Sequence, residues 1–163
     1  MRQKTETAPG VPVALMFGGD LGDTAEIFAT AAAELERAGM SDIRRSRIYR
    51  SAPVDCVPGT PDFSDMALTG VWCGTARELL AVCQNLERAA GRPERHSSRE
   101  ARTLDIDIIL FGDAVSAAPE LTLPHPRARK RRFVLEPLAE IAPDRRFPDT
   151  GNTILQEFQR ISN

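Results

Sequence analysis

Arg102-Thr103-Leu104-Asp105-Ile106-Asp107-Ile108-Ile109-Leu110-Phe111-Gly112 alternates residue type with the period of a strand. Leu104, Ile106, Ile108 and Leu110 fall on one face, Asp105 and Asp107 on the other. Side chains two apart share a face, so both carboxylates point the same way, roughly 6.6 Å apart along the chain. Asp is depleted from strand interiors, and two of them inside an apolar run are costly unless something compensates. A cation is the usual compensation. Paired hard oxygens suit Mg²⁺, which takes one or two carboxylates together with substrate phosphates. The plainer alternative is an amphipathic edge strand with two solvent-facing Asp. D-x-D alone is also compatible with a metal-dependent nuclease or a glycosyltransferase.

Outward from this stretch, the chain punctuates itself. Residues 1–10 are polar and read as a flexible tail, leaving 11–163 as a single domain. Residues 11–17 form a short apolar run suited to a strand covered on both faces, and Gly18-Gly19-Asp20-Leu21-Gly22 breaks it. Asp23 and Glu26 then have capping-box spacing, with a helix to about Ala38 and Gly39 as its stop. Residues 41–51 read as a second strand, 52–62 as a proline-rich loop, and 63–72 as a third strand with Phe63, Asp65, Ala67 and Thr69 on one face. Thr75 and Glu78 repeat the capping box before a helix to about Ala89, and Gly91 ends it. After Gly112 come a loop, a helix over 133–141 despite Pro137, and a last helix over 153–161. The order β-α-β-β-α-β predicts an α+β fold, a ferredoxin-like sandwich with a C-terminal helical extension.

Composition narrows the function. The 163 residues, 42% hydrophobic and 27% charged, suit a soluble globular protein. A net charge of −2 exerts no global pull toward nucleic acid or an anionic membrane. No apolar run approaches the ~18 residues of a membrane span, and no signal-peptide core is evident, so a cytoplasmic location is expected. Cys56, Cys73 and Cys83 lack C-x-x-C spacing and read as reduced thiols. The Gly-rich turn at 18–22 lacks the spacing of the common phosphate-binding loops.

Cationic residues bracket the Asp pair. Arg92, Arg95, Arg99 and Arg102 precede it; Pro124-His125-Pro126 and the basic run 127–132 follow. Arg is suited to bidentate phosphate recognition, and carboxylates holding Mg²⁺ among Arg and His are the tools of phosphoryl transfer. The competing explanation for 127–132 is a solvated basic face, and for a lone His a structural role. A ferredoxin-like nucleic-acid-binding module would also use such patches, but no run of stacking aromatics of the RNA-binding kind occurs.

R-T-L-D-I-D-I-I-L-F-G, then L-T-L-P-H-P, then R-R-F-V-L-E-P-L-A-E-I-A-P closely resembles the 6-hydroxymethyl-7,8-dihydropterin pyrophosphokinases of folate biosynthesis. The resemblance covers residues 11–151 and implies the same ferredoxin-like fold. It implies transfer of the pyrophosphoryl group of ATP to the pterin hydroxymethyl oxygen, with AMP released. By position it implies Asp105 and Asp107 as ligands of Mg²⁺, two ions bound with ATP, and Arg92 and Arg102 as catalytic-loop arginines. Gln84, Glu87, His125 and Arg131 fall on ATP-binding positions. Ser51, Ala52, Val54, Phe63, Asp65 and Phe133 fall on pterin-binding positions, with Phe63 and Phe133 sandwiching the ring. The expected partners are ATP and a reduced hydroxymethylpterin, with no nucleic acid and no membrane.

The chain departs from the family pattern at several of these places. Asp65 stands for an Asn that reads the pterin edge, Arg99 for a covering Trp, and Glu94 for an Arg. Glu100-Ala101 stands for Gly-Pro, and G-G-D-L-G for G-S-N-L-G. A divergent nucleotide-binding paralogue with altered pterin specificity is the alternative these changes raise.

Overall fold

The computed structural model describes residues 10–20, 23–51, 62–91 and 103–162. The expectations for Ala52, Val54, Cys56, Arg92, Glu94, Arg99, Glu100 and Arg102, and for the tail at 1–9, lie outside those residues.

The described chain runs β1 (Val11–Gly19), α1 (Thr24–Arg37), β2 (Ser41–Arg45), β3 (Tyr49–Ser51), β4 (Phe63–Trp72), α2 (Ala76–Ala89) and β5 (Asp105–Phe111). A small hairpin, β6 (Ser116–Ala118) and β7 (Leu121–Leu123), leads through a 3₁₀ turn to α3 (Arg132–Ile141) and α4 (Ile154–Ser162). β1 lies between β4 and β5 and pairs antiparallel with both; β2 and β3 pair antiparallel with the far edge of β4. That is the ferredoxin-like strand order, and the fold is α+β as expected.

Each element starts and stops for a local reason. The Asp23 side chain accepts the Glu26 N–H and starts α1. Thr75 and Glu78 form a complete capping box on α2. Gly39 and Gly91, after the two helices, have φ of 119° and 101°, a conformation glycine adopts without a Cβ penalty.

The sheet separates two apolar clusters. Leu15, Phe17, Leu68, Ile106 and Ile108 pack against Phe28 and Leu35 of α1 and Leu79 and Cys83 of α2. On the other face, Ala14, Met16, Ala67, Ile109 and Leu110 pack against Val134, Leu135 and Leu138 of α3, Phe147, and Ile154 of α4. The C-terminal extension therefore covers one end of the second face. Among the described residues no helix is long and apolar enough to cross a membrane.

Three details depart from the sequence expectations. Gly18 and Gly19 continue β1 instead of breaking it. A side chain at Gly19 would place its Cβ 2.6 Å from the Thr103 carbonyl oxygen, so the glycine permits the chain to enter β5 close beside β1. Second, Leu110 does not share a face with Leu104, Ile106 and Ile108. Ala14 pairs with Leu110 but Leu15 with Ile108, so Ile109 is an extra residue, and both Ile109 and Leu110 enter the second cluster. Third, the strand expected over 41–51 is two strands. The Ser46 hydroxyl accepts the Ala67 N–H at 2.9 Å and donates to the Arg47 carbonyl at 2.7 Å, which interrupts the regular ladder.

Candidate active site

At the end of the second face beyond α3 and α4, acidic residues replace apolar ones on β4 and β5, either side of a glycine on β1. Gly18 pairs with Asp65 on one side and with Asp105 on the other, and Met16 pairs with Asp107. Residues paired in register share a face, so Asp65 and Asp105 flank a position that has no side chain. A Cβ at Gly18 would lie 3.3 Å from Asp65 Oδ1. β5 is an edge strand, as the plainer explanation of the Asp pair required. The company it keeps is not that of a plain edge.

Burial, with a smaller contribution from the Asp105 charge, pushes the Asp65 carboxyl up to about 7. Near neutrality it is both a donor and an acceptor of hydrogen bonds, depending on its proton. Two further strand residues extend the face: Ser51 pairs with Phe63, and both are exposed.

His125 is held to β5. Its N–H donates to the Ile109 carbonyl at 3.0 Å, so the bulge that reversed Leu110 also supplies the anchor. Its Nδ1 accepts the Arg127 N–H at 3.2 Å. Burial and the neighbouring Arg131 and Arg127 charges hold the imidazole below its usual pKa, against a smaller opposing pull from Asp105. The neutral ring therefore carries its proton on Nε2, which is left as a donor.

Arg131 stands at the N-cap position of α3 without a side-chain capping bond, its guanidinium 5.4 Å from the centroid of the exposed Phe133 ring. The rest of the basic run divides. Arg129 forms two bonds to Asp149, at 2.5 and 2.7 Å, and lies over Phe147. Arg132 pairs with Glu136 and lies over Phe158. Those two arginines hold the C-terminal segment together, so the run is not a uniform phosphate-binding patch.

Glu87 reaches the site from the opposite layer. Although α2 packs on the first face, Glu87 is buried and its Oε2 accepts the Ile106 N–H at 2.8 Å. It thereby occupies the open edge of β5 between the two aspartates. Gln84, one turn earlier, is exposed. Phe63 and Phe133 are both exposed and make no ring pair with each other; the aromatic pair among the described residues is Phe17 with Phe28 in the core, edge to face.

The donor set fits a hard dication. Asp105 and Asp107 supply hard oxygens, and both are only partly buried. Among the described residues no three His, Cys, Asp or Glu side chains form a metal cage of their own. Mg²⁺ bound by one or two carboxylates takes its other oxygens from phosphates and water. A separate groove of about 470 Å³ at the opposite end of β1 holds Arg44 and Arg145 beside Asp42 and Asp144, and contains none of the expected site residues.

No site role follows from sequence for Tyr49 or Glu140, and Gly18 reads there only as part of a glycine-rich turn. Tyr49 could have been found by period two from Ser51. Gly18 and Glu140 gain their place only through partners distant in sequence.

Comparison with known proteins identifies the family. A sequence model of the family described as 7,8-dihydro-6-hydroxymethylpterin-pyrophosphokinase matches residues 14–143. A Synechocystis protein named 2-amino-4-hydroxy-6-hydroxymethyldihydropteridine pyrophosphokinase is 38% identical over 146 residues, which is 89% of this chain and 73% of that protein. A folate synthesis bifunctional protein of Chlamydia caviae is 31% identical over 157 residues, 93% of this chain but 35% of that protein. Wild-type Plasmodium falciparum HPPK-DHPS, solved with pteroate, superposes with a TM-score of 0.70 at 13% identity, covering 97% of this chain and 43% of that one. At that identity the likeness is one of fold.

Proposed function

The chain belongs to the 7,8-dihydro-6-hydroxymethylpterin-pyrophosphokinase family, and we propose that it transfers the pyrophosphoryl group of ATP to 6-hydroxymethyl-7,8-dihydropterin. The products are the pterin diphosphate and AMP. The observation that carries this is the pairing of Asp65 and Asp105 across Gly18, with His125 anchored to the same strand. Carboxylates, a neutral His donor and Arg131 are then grouped beside two exposed aromatics.

In the transfer, the hydroxymethyl oxygen attacks the β-phosphorus, the bond from that phosphorus to the bridging oxygen breaks, and AMP leaves with that oxygen. The alcohol's proton is released to solvent. Phe63 and Phe133 hold the pterin ring, and Ser51 and Asp65 take its polar edge, so that the attacking oxygen is oriented before reaction. Asp105 and Asp107 would hold Mg²⁺, with two ions bound alongside the nucleotide. Bound there, Mg²⁺ supplies charge neutralisation on the phosphate oxygens. His125 donates from Nε2 to a phosphate oxygen and Arg131 adds a charged donor. Glu87 keeps the edge of β5 in place between the metal ligands, and Gln84 takes part in nucleotide binding. The family motifs imply Arg92 and Arg102 for the catalytic step and Ala52 and Val54 for pterin contact. The protein acts in the cytoplasm, as one domain over 11–163.

The test is ³¹P NMR of the protein with Mg·ATP and the hydroxymethylpterin. AMP and a pterin diphosphate are expected, and Asp107→Ala should abolish them while weakening Mg·ATP binding. Intact ATP despite nucleotide binding by the unmodified protein would favour the divergent paralogue, which Asp65 and Arg99 suggest.

A further inference from the structure

The two sides of the proposed pterin site belong to elements far apart in sequence. Ser51, Phe63 and Asp65 are on β3 and β4, while Arg131 and Phe133 are at the start of α3. α3 packs over β4 on the second face, where Leu135 and Leu138 share one apolar cluster with Ala67. Those apolar contacts are non-directional and do not by themselves fix how far α3 slides or rolls over the strand.

A directional contact exists at the other end of the helix. Glu140 accepts two hydrogen bonds from the β2–β3 segment: the Tyr49 hydroxyl donates to Oε1 at 2.7 Å, and the Arg47 N–H donates to Oε2 at 3.1 Å. Arg47 also lies over the Tyr49 ring at 4.2 Å and places its Nε 3.7 Å from Glu140 Oε1. The strand break prepares this arrangement. Ser46 takes the Ala67 N–H on its side chain, and the following Arg47 N–H, turned out of the ladder, meets the carboxylate. Tyr49 pairs in register with Asp65 and lies two residues from Ser51, so the ring that bonds Glu140 stands on the ligand face.

We propose that Glu140 is a positioning residue for the pterin: bound by Tyr49 and Arg47, it sets the register of α3 against β3 and so the placement of Phe133 relative to Phe63 and Asp65. This deepens the function proposed above and rests on it. Burial, and then the bond to Glu140, hold the Tyr49 hydroxyl above its usual pKa, so it remains a donor across the working pH range. Other charges facing the contact are Arg47 and, one turn back on α3, Glu136.

The experiment measures steady-state kinetics and melting for the unmodified protein, E140A, E140Q and Y49F, together with hydrogen exchange over β3 and the first turn of α3. E140A should raise the pterin KM about tenfold, with the ATP KM and kcat within about twofold. E140Q keeps an acceptor for Tyr49 and should recover most of that loss, whereas Y49F should move the pterin KM in the same direction as E140A. A lower melting temperature with an unchanged pterin KM would overturn the proposal, because it is what a merely structural contact gives. So would E140Q as impaired as E140A. Exchange at the first turn of α3 should quicken in E140A. If that exchange is unchanged the positioning role fails, whether or not the pterin is the substrate. If the unmodified protein turns over no pterin while E140A still loosens that turn, the functional reading fails and the coupling of α3 to β3 stands.

Discussion

Asp65 shows how one substitution changes a site without dismantling it. Its carboxyl titrates at about 7 instead of 3.8, because burial and then the Asp105 charge disfavour the anion. Between about pH 4 and pH 7 the folded chain holds a proton that the unfolded chain has released. Stability therefore falls as pH rises through that window, and the deficit is complete above it, up to about 4 kcal/mol. Asp65→Asn removes the titration. Denaturant melts without divalent cations should show the variant gaining on the parent between pH 5 and pH 8. An identical pH slope in both proteins would mean that Asp65 ionises freely. Gly19 makes a steric argument at the same scale. With the Thr103 carbonyl 2.6 Å from the Cβ position, Gly19→Ala must displace backbone, at about 1–3 kcal/mol. Unfolding that matches the parent would show that the two strands can separate without cost. Cys83 lies at the opposite extreme of reactivity: burial first, then Glu87 and Asp107, push its thiol up to about 12, so it is an inert core residue.

At the scale of elements, β5 is the strand on which the layers meet. It is an edge strand, yet Glu87 from α2 satisfies its Ile106 N–H on the unpaired edge. Glu87→Ala would leave that buried donor without its acceptor, at about 1–3 kcal/mol, and would free the strand between the two Asp. The expected result is a lower melting temperature together with a higher Mg·ATP dissociation constant. A loss of stability with unchanged nucleotide affinity would limit Glu87 to the fold. α3 reads differently. Pro137 has no N–H to give the Phe133 carbonyl one turn earlier, yet the helix persists because Val134, Leu135 and Leu138 are buried on both sides of the interruption.

Across the whole molecule, the two apolar clusters have separate duties. The first, with α1 and α2, is the ferredoxin-like core. The second ties the C-terminal extension to the sheet and ends where the site begins. Phe147 is fully buried in it, its ring beneath Arg129, which is itself bound to Asp149. Phe147→Ala should cost about 3–5 kcal/mol in denaturant unfolding, because a ring of that size leaves a cavity. A change below about 1 kcal/mol would show that the extension is an appendage and not part of the cooperative unit.

The alternation of Phe63 to Trp72, the capping residues at Asp23 and Thr75, and the glycine stops determined the elements in advance, because each depends on neighbours within a few residues. Asp105 and Asp107 were visible for the same reason, since a period of two needs no tertiary information. The family motifs located His125, Arg131 and Phe133 in sequence but not their surroundings. Only the tertiary structure decided the bulge at Ile109, the break at Ser46, the use of Gly18 between two aspartates, and the bonds from Tyr49 and Arg47 to Glu140. Each of these depends on a partner strand or helix many residues away. Strand register and side-chain hydrogen bonding are set when the sheet closes and α3 packs on it, and no local pattern encodes that closure.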